Sequence, residues 1–515
     1  MAELHLQHAP VAVIGAGTMG IGIAQLAAMH GHPTHVYDVD PQRVESAFAA
    51  LKQQLQKRVD AGKMAADLLQ LTLSNLNVAA DLHELADSQL IVEAIVENKD
   101  VKQKLFQQLA DICSPETIFA SNTSSISITA IAANIPHPER VVGLHFFNPA
   151  PVMKLVEVIA GLKTDPAISD ALVSLMTAWK KVPVRAKSTP GFIVNRIARP
   201  YYAEGFRALQ ENATTPEQLD FIMRECGRFS MGPCELTDLI GQDINFSVTQ
   251  SVYDAFFDEP RYRPSLIQKE LVDAGCFGRK TQQGFYDYRT EHSKKVYQLP
   301  VIYSKSPEKI EVVVKGDWSH SQGLIALLQQ SKHIHLRIEA APTVEILIGD
   351  VSLRLSMGQS AEIDYATQKV VLMDWHGDWS QAKAIAVTAS PACTEIDQKT
   401  IEQLFIGLNI IPIWSQDHPG LYVLRSIAML VNEGCEAVLH QIASEQDIDS
   451  AMKFAVNYPK GPFQWAQELG YNIILQTLQN LYRIYGEERY RPNLYLLKKA
   501  AQGNVSTQQP LRAAS

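Results

Sequence analysis

Residues 11–38 read VAVIGAGTMGIGIAQLAAMHGHPTHVYD, and this stretch decides the fold. Val11 to Ile14 has the apolar, β-rich character of a buried strand, and Gly15, Gly17 and Gly20 follow at once as GAGTMG. A helix then runs to about His30, with Ile21, Ala24, Leu26 and Ala28 on its apolar face and Gly31 just past its end as the terminator. The three glycines have separate tasks: a tight turn, close approach of backbone to a pyrophosphate, and close packing of helix on strand. The helix N-terminal amides then face the phosphates. A second strand, His35 to Tyr37, ends at Asp38, where an acid accepts hydrogen bonds from ribose hydroxyls and repels a 2′-phosphate. A bare GxGxxG is a weak signal. Strand, glycines, helix, strand and acid in one short unit predict a dinucleotide site that takes NAD rather than NADP.

Outward from this unit, strands are predicted at Leu90 to Ala94, Thr117 to Ala120 and Val141 to Phe146, with a helix over Lys99 to Ile112. This alternation predicts a parallel α/β sheet, whose ligands gather at the carboxyl ends of its strands. The stretch 143–159, GLHFFNPAPVMKLVEVI, places His145 at such an end and Glu157 twelve positions later. A histidine oriented by a carboxylate is a tunable proton acceptor. Taken alone, His145 beside Phe146 and Phe147 would be an ordinary core residue; its place in the sheet points to chemistry. Glu97 and Lys102, in VENKDVK, fit either a solvated helix start or contacts to the cofactor. From about Val182 the character changes: a strand VPVRA, then STPGFIVNR with Pro190 and Gly191 as a boundary, then helices over Ile197–Gln210, Pro216–Glu225 and Leu266–Ala274. Asn195, an amide in an apolar helix start, needs a partner, either a structural hydrogen bond or a substrate.

Composition narrows the function classes. A formal charge of −9 without a dense Lys/Arg cluster argues against nucleic acid or an anionic membrane as partner. The six cysteines are scattered without CxxC pairs, which predicts reduced thiols and no metal site. The opening residues have no basic-then-apolar leader and no apolar run reaches a bilayer's width, so a cytoplasmic protein is expected.

Seven blocks, GAGTMG, VEAIVEN, SNTSS, GLHFFNP with MKLVEVI, TPGFIVNR, MGPCELTDLIG and GRKTQQGFYDY, lie in one order over residues 11 to 288. Together they resemble the 3-hydroxyacyl-CoA dehydrogenase family. That resemblance implies NAD-dependent, reversible oxidation of an (S)-3-hydroxyacyl-CoA to the 3-oxoacyl-CoA. It makes His145 the general base, Glu157 its charge partner, and Ser124 and Asn195 the groups that position the substrate oxygens. Gly15, Gly17, Met19, Gly20, Asp38, Glu97 and Lys102 fall on cofactor-binding positions, and Asn148 matches the asparagine beside the catalytic histidine, also toward the cofactor. The one departure is Cys234, where a bulkier residue is common. The long form is similar to bacterial enzymes of fatty-acid or phenylacetate breakdown, with 3-hydroxybutyryl or 3-hydroxyadipyl thioesters as substrates. A dehydrogenase of a free hydroxy or sugar acid, and a non-catalytic NAD-binding structural protein, are the alternatives. A dicarboxylic substrate would call for a cation at its far end; Arg199, Arg207 and Lys63 are available, each with a surface or CoA-phosphate role as its plainer reading.

The second half carries an internal repeat. VPVRAKSTPGFIVNR aligns with IPIWSQDHPGLYVLR, pairing Pro190 with Pro419 (419 − 190 = 229) and Arg196 with Arg425; RYRPSL at Arg261 recurs as RYRPNL at Arg489, now 228 apart. Leu424 stands opposite Asn195, so the second copy is read as structural, packing on the first in place of a partner subunit's helical domain; the chain is then a monomer or a homo-oligomer with its repeats paired internally. The expected organisation is a Rossmann-type α/β dinucleotide-binding domain (1–187), an all-α domain (188–290), a small strand-rich α/β region without GxGxxG (291–398), a second, degenerate all-α repeat (399–503, repeating 170–275), and a disordered tail (504–515). A shrunken remnant of a second dinucleotide domain is the reading of 291–398.

Overall fold

Val11–Ile14 (β1) is buried along its whole length at the middle of an eight-stranded sheet. The others are Thr34–Tyr37 (β2), Leu76–Val78 (β3), Leu90–Glu93 (β4), Ile118–Ser121 (β5), Val141–Phe146 (β6), Leu155–Ala160 (β7) and Val182–Lys187 (β8), in the order β3-β2-β1-β4-β5-β6-β7-β8. All neighbours run parallel except β6 and β7. These coordinates are a computed structural model that describes residues 6–289, 297–300 and 309–507. They form two compact units, Met1–Arg196 with His440–Val456, and Ile197–Leu439 with Asn457–Ser515. Among the described residues no helix is long and apolar enough to cross a membrane.

In the first unit the sheet and its helices share one core. Val13, Val92, Ala120, Val142 and Phe146 from the strands meet Ile23, Ala27, Leu172, Met176 and Trp179 from the helices. The helices begin where the sequence supplies acceptors for their orphan amides. Asn98 caps Lys99–Ile112 by accepting from the Asp100 and Val101 amides, and Asp165 caps Pro166–Ala178. One helix of this unit comes from far down the chain: Glu445–Val456 packs on β7 and β8, joined there by a hydrogen bond from the Lys187 amide to the Ile442 carbonyl.

The second unit contains the helical sequence predicted from Ile197 on, with the first long helix at Arg199–Gln210, and a second sheet. Its strands are Ile310–Lys315 (β9), Ile334–Glu339 (β10), Glu345–Ile348 (β11), Val351–Leu355 (β12), Val370–Met373 (β13), Ala384–Ala389 (β14) and Ile411–Trp414 (β15), in the order β10-β9-β11-β12-β13-β14-β15. The strand-rich region does not stop at 398 as expected: the helix Glu395–Gly407 and β15, which pairs parallel with β14, complete it. The duplication reaches further back than the helical repeat. β6, β7 and β8 recur 229 residues on as β13, β14 and β15 (141, 155 and 182 become 370, 384 and 411), with the same antiparallel then parallel pairing. β9 and β10 are parallel and joined by the helix Gln322–Gln330, a βαβ unit.

The two helical copies meet through reciprocal contacts. Glu204 of the first accepts from Tyr490 at 3.1 Å and lies 3.7 Å from Arg489. Its counterpart Glu433 (204 + 229) accepts from Tyr262 at 2.6 Å and Arg261 at 3.4 Å, the residues 228 positions before Tyr490 and Arg489. Such self-complementary pairing is the hallmark of a two-fold interface, here folded into one chain. The final helix runs Leu494–Thr507, so the expected disordered tail is helical over 504–507; 508–515 lie outside the described residues, as do 290 of the helical domain and 291–296 and 301–308 of the strand-rich region.

Candidate active site

Gly15 has φ +105°, and a Cβ there would stand 2.5 Å from the Ala94 carbonyl oxygen, so both its backbone conformation and its space require glycine. A Cβ on Gly20 would lie 1.8 Å from the Gly15 carbonyl oxygen, which fixes how closely the helix Thr18–Met29 sits on β1. Gly17 is different: the nearest atom is an Arg43 nitrogen at 3.9 Å, and no side chain caps the helix that starts after it. This leaves the first-turn amides without a side-chain cap, the arrangement that can accept a phosphate. Met19 is half-buried and packs on the core, while Asp38, just after β2, accepts the Ala16 amide at 2.7 Å and so ties the glycine turn to the end of β2.

Glu97 gathers the SNTSS loop. It accepts from the Thr123 hydroxyl at 2.6 Å, the Ser124 amide at 3.0 Å and the Ser125 amide at 3.2 Å, and faces Lys102 at 3.3 Å. Burial pushes its pKa up, but the Thr123 hydrogen bond and the Lys102 charge outweigh it and hold the carboxyl below its usual range. Lys102 is no solvated helix residue: it is 1% exposed and its ammonium meets the buried Glu93 at 2.6 Å. Glu93 also accepts from Ser121 and from the Ile95 amide. Sequence reasoning passed over Glu93, since VEAIVEN offers two glutamates and only the sheet shows which one turns inward. Asn122 was also missed; its side chain accepts the Phe146 amide at 2.8 Å and pins the loop beside the end of β6.

His145 and Glu157 stand directly opposite in the β6–β7 register, so the eleven residues between them form the return of a hairpin. Their side chains, both buried, meet at 2.6 Å between Nδ1 and Oε2. The other oxygen, Oε1, accepts the amides of Ile193 at 3.0 Å and Val194 at 3.1 Å, at the start of the helix Val194–Ile197. An oxygen pair that accepts from two amides leaves Nδ1 as the donor to Oε2, and therefore Nε2 as the ring's free lone pair. Phe147 and Phe192 flank the ring, with centroids 4.5 and 6.1 Å away. Asn195 is half-buried and its amide donates to the Ser124 carbonyl at 3.4 Å, which brings those two residues together. Asn148 is exposed and precedes a cis peptide to Pro149.

The second unit holds a degenerate counterpart. The offset of 229 places Asp374 at the position of His145 and Ala386 at that of Glu157. Asp374 accepts the amides of Tyr422, Val423 and Leu424 at 2.9, 2.7 and 3.0 Å. These are the counterparts of Ile193, Val194 and Asn195. The carboxylate that holds the helix start persists, displaced to the neighbouring strand, and no histidine stands at the position of His145.

Comparison with known proteins matches residues 10–189 to "3-hydroxyacyl-CoA dehydrogenase, NAD binding domain", residues 191–288 and 420–512 to the C-terminal domain of that enzyme, and 353–419 to "3-hydroxybutyryl-CoA dehydrogenase reduced Rossmann-fold domain". The 3-hydroxyadipyl-CoA dehydrogenase of Escherichia coli K12 is 44% identical over 497 residues, covering 95% of this chain and 97% of the relative. The chain belongs to the 3-hydroxyacyl-CoA dehydrogenase family. It is an NAD-dependent oxidoreductase, and the glycine turn lies within its NAD-binding domain. The human mitochondrial hydroxyacyl-coenzyme A dehydrogenase is 40% identical over 286 residues, 54% of this chain and 91% of that enzyme. A crystal structure of 3-hydroxybutyryl-CoA dehydrogenase from Escherichia coli K12 superposes with a TM-score of 0.87 at 42% identity, over 97% of this chain and 99% of that one. The enzyme's C-terminal domain thus occurs twice, as the internal repeat indicated.

Proposed function

We propose that the enzyme oxidises the 3-hydroxyl of an (S)-3-hydroxyacyl-CoA, in the reversible reaction that its family carries out, with His145 as the base. The observation that carries this reading is the 2.6 Å contact between His145 Nδ1 and Glu157, which presents Nε2 as a proton acceptor flanked by aromatic rings. NAD, bound at the glycine turn, would take the hydride from C3. His145 Nε2 takes the hydroxyl proton, and Glu157 stabilises the imidazolium that forms in a site largely closed to water. Asn195 and Ser124, already bonded to each other, orient the substrate oxygens; Glu97 holds the Ser124 backbone in place. In reverse, His145 protonates the oxygen as hydride arrives. The test is reduction of acetoacetyl-CoA by NADH. Turnover that falls on the order of 10² to 10⁴ in His145→Gln supports the assignment. A wild-type enzyme inactive on acetoacetyl-CoA but active on a free hydroxy acid overturns it, and an inert protein points to a structural role.

The second helical copy stands in, on this reading, for the partner subunit's helical domain. The reciprocal Glu204 and Glu433 contacts support it.

A further inference from the structure

Glu93 ends β4 with its side chain wholly buried and both of its oxygens engaged. Oε1 accepts from the Lys102 ammonium at 2.6 Å and from the Ile95 amide at 2.7 Å, and Oε2 accepts from the Ser121 hydroxyl at 2.6 Å. A carboxylate this far from water depends on such partners, and the two side chains among them lead to the same loop. Lys102 also faces Glu97 at 3.3 Å, and Glu97 accepts the Ser124 and Ser125 amides. Ser121 in turn accepts the Thr123 amide at 3.3 Å. Two hydrogen-bonded paths that start at one carboxylate therefore hold residues 121–125.

The duplication supplies an internal control. β12 pairs with β13 as β5 pairs with β6: Leu353 lies opposite Val371 and Ala120 opposite Val142. Val371 is the counterpart of Val142 (371 − 142 = 229), so Leu353 stands for Ala120, and Arg354, Ser356 and Met357 stand for Ser121, Thr123 and Ser124. Beside them on β11 a buried carboxylate is present, Glu345, but it bonds Ser352 and Arg354 within the neighbouring strand. The Ser356 hydroxyl, counterpart of Thr123's, is buried with no hydrogen-bond partner among the described residues. The sheet thus packs without the two paths, and the copy that lacks them has no histidine at the position of His145.

The geometry points to Glu93 as a positioning residue for the substrate: its charge fixes the Lys102 ammonium between two carboxylates, so that Glu97 stays on the loop amides and the Ser124 carbonyl keeps the Asn195 side-chain amide. With Glu93 neutral, the attraction of Lys102 falls on Glu97 alone and draws it off those amides. The inference rests on the function proposed above, but the first of its two tests does not. Both use the full-length chain and Glu93→Gln, which keeps the shape and a hydrogen bond to Ser121. Amide hydrogen exchange over residues 121–126, read by mass spectrometry, is expected to quicken about tenfold in the variant while the second unit stays as in wild type. In the acetoacetyl-CoA assay kcat is expected to fall by about ten- to a hundredfold, with KM changed less than about threefold, because orientation rather than binding is lost. In a Glu97→Gln background the same substitution should change kcat by less than about twofold, since Glu93 acts through Glu97. Losses that multiply in that background make Glu93 a core residue only and overturn the proposal. Unchanged exchange overturns it as well, and so does an unchanged kcat beside quickened exchange. Should Glu93→Gln fail to fold, Glu93→Leu combined with Lys102→Met leaves no buried charge and is read in the same way. Wild type inactive on acetoacetyl-CoA refutes the proposed function alone, and the exchange test then decides for Glu93.

Discussion

Glu157 does two jobs with two oxygens, and the sequence shows only one of them. Twelve residues from His145 in an apolar stretch, it is legible as the histidine's partner. That its other oxygen holds the Ile193 and Val194 amides is not, because those residues are brought to it by a strand crossing that no local pattern records. Glu157→Gln keeps the size and loses the charge. We expect NAD affinity close to wild type, turnover lowered by about 10² or more, and a stability loss of about 1–3 kcal/mol from weakened bonds to buried amides. Steady-state kinetics, NAD titration and chemical unfolding check the three parts, and near-normal turnover would sink the pairing. Lys102 teaches the converse: a lysine in the first turn of a polar helix reads as solvated, yet it is buried because Glu93, at the end of β4, faces the same interior.

At the scale of elements, the strands flanked by clear turn residues were legible and those without were not. β12 was passed over because VSLRL follows Ile348-Gly349-Asp350 so closely that VEILIGD reads as one strand; Gly349, with φ +61°, is the turn of a two-stranded hairpin. β7 was hidden for a similar reason, its glutamate marking it as a site rather than as a strand. The segment that follows β13 yields a pH prediction. His376 is 1% exposed, accepts the Asp378 amide on Nδ1, and lies tilted against Trp379, ring centroids 5.2 Å apart. Burial, with help from the Arg228 charge, lowers its pKa from 6.5 to about 4. The folded form thus resists protonation that the unfolded chain accepts. Its contribution, up to about 3 kcal/mol, is complete above pH 6.5 and is lost as the pH falls through about 4. Urea unfolding read by tryptophan fluorescence at pH 7 and pH 4.5 should show the loss in wild type and a smaller one in His376→Gln; equal losses would refute it.

For the whole molecule, the repeat was legible from the 229-residue offset, and with it the replacement of Asn195 by Leu424 in the second copy. The sequence did not disclose that the duplication reaches back through β13–β15, where side chains have diverged and only the order of parallel and antiparallel pairings remains. Nor did it show that the helix Glu445–Val456, from the second copy, belongs to the first unit. A fragment ending at residue 290 lacks that helix and the whole second copy. It is expected to self-associate or to lose turnover, and light scattering with the acetoacetyl-CoA assay decides; a soluble, monomeric, fully active fragment would refute the intrachain pairing. The same helix imposes a schedule on synthesis. The first 196 residues leave the ribosome long before residue 456, and the 260 residues between them (456 − 196) take roughly ten to fifty seconds to make at common elongation rates. During that interval β7 and β8 lack the helix Glu445–Val456 that packs on them, so the first unit is complete only once residue 456 has been made.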